Sequence, residues 1–302
     1  MTIPAFRSRS PARFRATRSA VFLALWLFWG GVAGAEILVA EDFEDADLPA
    51  RGWYDIWSWG QELLLDSTTS VTGATSLQVR YQQGSTGPSM RHRFAGQGTI
   101  YTRYYRKWAP NWVWPTGSGP HDTYVFAMYG QQYFPPTQTY ATVYTDSIYQ
   151  GAPDWQFGTI GLLTRRYLQG ESYVSRTALD PPPPRFELDR WYCIETLATM
   201  NTPGFADGVL RVWLDGVPIF DLTNVVLRDA ANSNLQFDQF MFGPYFHGGT
   251  PQTQSTWIDA LVIATDRVGC AGSAPSGPPP PDCVRRSDLV TPQPGCEAPP
   301  AP

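Results

Sequence analysis

Along the middle of the chain, apolar and polar residues alternate in short runs divided by turn-forming residues, which is the period of β-strands. The clearest run is Val209-Leu210-Arg211-Val212-Trp213-Leu214-Asp215-Gly216. Period two sends Leu210, Val212 and Leu214 to one face and Val209, Arg211 and Trp213 to the other. The Asp-Gly pair suits a two-residue type I′ hairpin turn, which needs positive φ at both positions. Runs of this kind fall at 36–39, 76–81, 99–108, 123–129, 139–144, 191–200, 209–214, 217–222, 237–242 and 256–264. Outside the apolar stretch near the N-terminus, nothing keeps a helical period for three turns, although 222–228 leaves room for a short helix. The pattern predicts an all-β domain over residues 36–270.

The chain has 302 residues, 43% hydrophobic and 14% aromatic, which is enough apolar mass for a packed core. Its 28 Pro and 27 Gly disfavour helix bundles and βαβ arrays. Residues 1–35 read as a secretory signal. Arg7, Arg9, Arg13, Arg15 and Arg18 precede the apolar run from Ala20 to Trp29, and Ala33-Gly34-Ala35 supplies a small-residue cleavage pattern. The apolar run is about half the roughly 20 residues of a membrane-spanning helix, so no span is expected once the signal is cleaved. The competing reading is an uncleaved anchor. Cleavage removes five Arg and no acid, leaving 17 basic and 27 acidic residues, a net charge of −10. That balance argues against a nucleic-acid partner, and a secreted, periplasmic or cell-surface location is expected. Residues 271–302 hold ten Pro and few large apolar residues, the composition of a disordered, extended tail.

Four cysteines, Cys193, Cys270, Cys283 and Cys296, suit an exported protein with disulfides. Three pairings are possible. The favoured one joins Cys193 to Cys270 within the domain and Cys283 to Cys296 within the tail. A free buried thiol at Cys193 is the alternative.

In 99–108, period two places Tyr101, Arg103, Tyr105 and Lys107 on one face. Unpaired charges are costly to bury, so this face is expected to meet water or a polar groove. Arg211 with Trp213, and Cys193 with Glu195, are expected to share it.

Three blocks carry a family resemblance: Ala40-Glu41-Asp42-Phe43-Glu44-Asp45 with Gly52-Trp53; Arg190-Trp191-Tyr192-Cys193-Ile194-Glu195 continuing through Met200–Gly204 to Asp207–Gly216; and Ser255–Ala264. Together they resemble the concanavalin A-like lectin/glucanase jelly roll. Within that group they are most similar to secreted polysaccharide-lyase-like domains of the glucuronan and heparin lyase type. The resemblance implies an antiparallel jelly-roll sandwich of two sheets, one of them bent into a groove for an extracellular polysaccharide.

The implied chemistry is β-elimination of a uronate-containing polymer. A cation or amide neutralises the carboxylate, a base removes the proton beside it, and an acid protonates the leaving oxygen. Arg103 and Lys107 are candidates for neutralisation, Tyr105 or His121 for base, and Tyr245 or His247 for acid; Glu195 and Arg211 complete the polar set. The bland alternative makes Arg103, Lys107 and Glu195 ordinary cross-strand ion pairs. Retaining hydrolysis is disfavoured, because Glu195 has no carboxylate two or four residues away on its strand. Three histidines also limit a metal-hydrolase reading. The rival functional class is a non-catalytic lectin-like module or surface adhesion protein, which would use exposed indoles. Trp53, Trp57 and Trp59 lie close in sequence, as do Trp108, Trp112 and Trp114. Trp112, Trp114 and Trp213 are the candidate sugar-binding residues. Glu41, Asp42, Glu44 and Asp259 could converge on a structural Ca²⁺, which the resemblance also suggests.

Overall fold

A computed structural model describes residues 36–114, 121–127, 140–149, 158–167, 171–176, 186–246 and 248–270. The strands are β1 (Ile37–Glu41), β2 (Trp53–Trp57), β3 (Leu63–Asp66), β4 (Ser76–Tyr81), β5 (Ser89–Gln97), β6 (Thr99–Trp108), β7 (His121–Ala127), β8 (Tyr140–Tyr149), β9 (Gly158–Tyr167), β10 (Glu171–Arg176), β11 (Tyr192–Thr199), β12 (Gly208–Leu214), β13 (Val217–Val225), β14 (Phe237–Tyr245) and β15 (Gln254–Ala264). Among the described residues the only helices are two single 3₁₀ turns.

The strands form two antiparallel sheets, as expected of a jelly roll. The eight-stranded sheet runs β13-β12-β11-β6-β15-β4-β3, with β1 also paired to β15. The seven-stranded sheet runs β10-β9-β8-β7-β14-β5-β2. The predicted Asp-Gly hairpin is present: Asp215 and Gly216 have φ of 50° and 82°, and Leu214 pairs with Val217. The next strand continues to Val225, so the segment considered for a short helix is largely β13.

The core lies between the sheets. Ile100, Tyr104 and Trp108 of β6 and Leu210, Val212 and Leu214 of β12 meet Phe237, Phe240 and Phe242 of β14 and Met90 of β5 in one buried cluster. Arg106 is fully buried among them, with its guanidinium carbon 5.2 Å from the Phe242 ring centre and 5.7 Å from that of Trp108. The cation inside the core thus comes from the opposite face of β6 to the one on which charge was expected to matter.

Two bulges shift the alternation. In β15 the register slips between Asp259 and Val262, and Ala260 takes φ 48°. Ile258 and Leu261 then both reach the core, while Asp259 and Ala260 turn away from it. In β2 the register slips between Tyr54 and Trp57, and Asp55 takes φ 48°. An inserted residue reverses the facing of everything beyond it.

The Cys193–Cys270 disulfide forms as expected, with Cα atoms 5.9 Å apart. Cys283 and Cys296, like the rest of residues 271–302 and residues 1–35, lie outside the described residues.

Candidate functional site

The predicted polar face of β6 does exist. Tyr101, Arg103, Tyr105 and Lys107 share the side of the eight-stranded sheet turned away from the core with Glu195, Arg211 and Trp213, and Tyr101 stacks on Trp213 at 6.3 Å. The face is not an open trough, because the segment after β15 crosses it. Glu195, fully buried, accepts Arg267 Nε at 2.8 Å on one oxygen and the N–H groups of Val268 and Gly269, each at 2.9 Å, on the other. Arg267 lies 4.4 Å over Trp213, and the disulfide fastens Cys270 beside Tyr105, Ala260 and Val71. Lys107 binds Asp189 at 3.0 Å and sits over Trp257, while Arg211 binds Asp221 at 2.9 Å. Burial lowers the Arg103 pKa and raises that of Tyr101. Glu195 thus holds the strap, and Lys107 and Arg211 each have an ion-pair partner on this face.

The indoles expected to bind sugar also differ. Trp112 and Trp114 turn inward to pack with Tyr81, Trp108, Phe186 and Phe246, and are 4% and 3% exposed. Pro110 does not hold the segment out in solvent; six aromatic rings make burial the better outcome. Trp213 lies beneath Arg267.

The calcium set does not fit a cation. Glu41 gives its oxygens to Arg51, the Trp53 indole and the Phe43 N–H. Glu44 receives Ala74 and Thr75 N–H groups, and Asp259 receives those of Val71, Thr72 and Ala260. Among the described residues no three His, Cys, Asp or Glu side chains gather as a metal site. These carboxylates instead pin loops to strand ends.

The seven-stranded sheet presents a different cluster on its face away from the core. Met90 and His92 of β5 point inward, His92 meeting Trp53 edge-on at 5.2 Å, so alternation turns Arg91 and Arg93 outward. Phe240 and Phe242 of β14 are core, leaving Gln239 and Met241 on the outward side. Tyr54 of β2 pairs with Arg91, and Gln239 pairs with Arg93. The Tyr54 hydroxyl donates to Gln239 Oε1 at 2.7 Å and lies 3.4 Å from Arg93 Nε, whose guanidinium carbon is 5.1 Å from the Tyr54 ring centre. Arg91 pairs with Asp55 at 3.3 Å. In backbone register the row runs across the sheet from Arg93 and Gln239 through Phe126, Thr142 and Arg165 to Tyr173.

Residues 175–261 match the family model Polysaccharide lyase 14. The matched stretch contains Gln239 and the whole of the Arg190–Gly216 block. No curated protein matches the sequence. Among solved structures, the alginate lyase vAL-1 from a Chlorella virus is similar with a TM-score of 0.56 and 14% identity, covering 76% of this chain and 100% of its own. The endo-β-1,4-glucuronan lyase of Trichoderma reesei gives 0.53 and 16%, covering 76% and 96%. The PL-14 alginate lyase of Aplysia kurodai gives 0.52 and 12%, covering 77% and 100%. At these identities the likeness establishes a shared fold, the antiparallel two-sheet jelly roll.

Of the remaining candidates, Tyr245 ends β14 in register with His121 and is 39% exposed. The side chain of His121, and His247 as a whole, lie outside the described residues. Tyr54, Arg91, Arg93 and Gln239 were missed by the sequence reading. Their available signal was the Arg-x-Arg spacing of 91–93, the same argument applied to β6.

Proposed function

We propose that the protein is an exported lyase that cleaves an anionic, uronate-containing polysaccharide by β-elimination at the outward face of the seven-stranded sheet. One observation carries this reading: a Tyr hydroxyl held between a Gln amide and an Arg guanidinium, beside a second Arg, in a fold whose similar structures include alginate and glucuronan lyases. Arg91 and Arg93 suit the carboxylate of the sugar, while the buried Gln239 amide holds the Tyr54 hydroxyl beside them. Neutralising the carboxylate makes the proton on the adjoining carbon removable. Tyr54 as the phenolate then suits removal of that proton, and the phenol so formed returns it to the leaving oxygen as the C–O bond breaks and the C=C bond forms.

An exported chain of net charge −10 attracts a polyanion only where cations are concentrated, which gives the paired arginines their value. Export is supported by the leader sequence and by the Cys193–Cys270 disulfide, which suits an oxidising compartment. Incubation with glucuronan, alginate and heparin-type polymers tests the reading. Unsaturated uronate ends, seen by ultraviolet absorbance, are expected; retained binding without new absorbance would instead favour a lectin-like module.

A further inference from the structure

We infer that Trp57 is a sugar-stacking platform that lengthens the polysaccharide-binding surface along the β2 edge of the seven-stranded sheet. The inference rests on the lyase reading and assigns a neighbouring binding position on the same face.

Without a bulge, Trp53 facing the core would send Asp55 and Trp57 inward as well. Between the Tyr54–Arg91 and Trp57–Ser89 pairs, β2 contains two residues where β5 contains only Met90. The extra residue, with Asp55 at φ 48°, reverses the phase. Ile56 then packs against the core, and Trp57 emerges opposite Ser89 on the same side as Arg91 and Arg93. Arg91 is two positions beyond Ser89 along β5, so the indole's strand position lies about 7 Å along the sheet from the arginine, the scale of a neighbouring sugar ring.

Trp57 is 63% exposed, while Trp53, Trp108, Trp112 and Trp114 are buried. The segment that carries it is held rigidly. Asp55 is tied to Arg91 at 3.3 Å. The carbonyl of Ser58, itself at φ 67°, accepts the N–H groups of Gln61, Glu62 and Leu63 at 3.1, 2.9 and 3.1 Å. Non-glycine residues in the left-handed region on both sides of Trp57 are costly, and such strain gathers where side-chain placement serves function. A flat aromatic beside a cationic pair fits a polymer with alternating apolar ring faces and carboxylates.

The test compares wild type, Trp57→Ala and Trp57→Phe on uronate oligomers of increasing length and on polymer, with thermal melting as a fold control. Trp57→Ala is expected to raise KM on polymer by about ten-fold with kcat kept, with a smaller effect on the shortest cleaved oligomer. Trp57→Phe is expected to retain most of the affinity. Equal KM for wild type and Trp57→Ala at every length, or a loss confined to kcat, overturns the inference while leaving the lyase reading standing. A wild type that neither binds nor cleaves any uronan overturns both.

Discussion

Tyr54 and Gln239 are 185 positions apart in the chain, yet the hydroxyl of one donates to the amide oxygen of the other at 2.7 Å. The bond reaches across β5 and fixes the phenol above the arginine row. Gln239 is 2% exposed, so its side chain acts as a rigid support. Replacing it with the similarly shaped Met, whose thioether is only a weak acceptor, should lower kcat on a uronan by roughly ten- to a hundred-fold, with a smaller change in KM. Steady-state kinetics on one defined polymer check this.

Arg93 is exposed beside that phenol and attracts polymer largely by charge. Arg93→Ala should raise KM by about ten-fold and flatten the dependence of KM on ionic strength, because exposed charges are screened within about 10 Å at 0.1 M salt. KM measured from low to high salt for both proteins provides the comparison.

The strap over the eight-stranded sheet should matter for stability and not for chemistry. Glu195→Ala leaves Arg267 without its carboxylate and removes the acceptor of the Val268 and Gly269 N–H groups. A loss of about 3–5 kcal/mol, a melting temperature lower by roughly 10 °C, is expected with kcat unchanged below the new transition. Opening the disulfide with Cys193→Ser removes a 77-residue cross-link and should cost about 4 kcal/mol. Calorimetry and activity assays on the same preparations separate the two effects.

Acid should weaken the fold through Glu44. The backbone N–H groups of Thr75 and then Ala74 hold its pKa below the usual 4.5. Its contribution is therefore complete above the unfolded value and is lost as pH falls through the lower folded value. Asp259 works with the opposite sign: burial raises its pKa despite three N–H donors, so acid favours the folded state through that group. Glu44→Gln should flatten the acid limb of a plot of melting temperature against pH.

The architecture was legible where the two-residue period runs unbroken. The β12–β13 hairpin and the shared face of Tyr101, Arg103, Tyr105 and Lys107 come from it directly. The cover over that face was not legible, since the Glu195–Arg267 contact joins residues 72 positions apart. The strand β5 was overlooked because Ser89–Gln97 has no β-branched residue and contains Gly96. With it went the Arg-x-Arg spacing that marks the candidate site. β2, β3, β9 and β10 were also unanticipated. The bulges at Asp55 and Ala260 each add one residue, so a strict alternation assigns the wrong face to the strand residues beyond them. Trp112 and Trp114 occupy a proline-containing stretch that reads as an exposed loop, but the gap between Tyr81, Trp108 and Phe246 takes them in.

The most direct measurement is the initial rate of unsaturated-uronate release by wild type and Tyr54→Phe on the same polymer, with matched melting curves. A working wild type and a variant slowed by at least roughly a hundred-fold at unchanged stability are predicted. A Tyr54→Phe protein that cleaves at the wild-type rate would contradict the assignment of catalysis to the seven-stranded sheet.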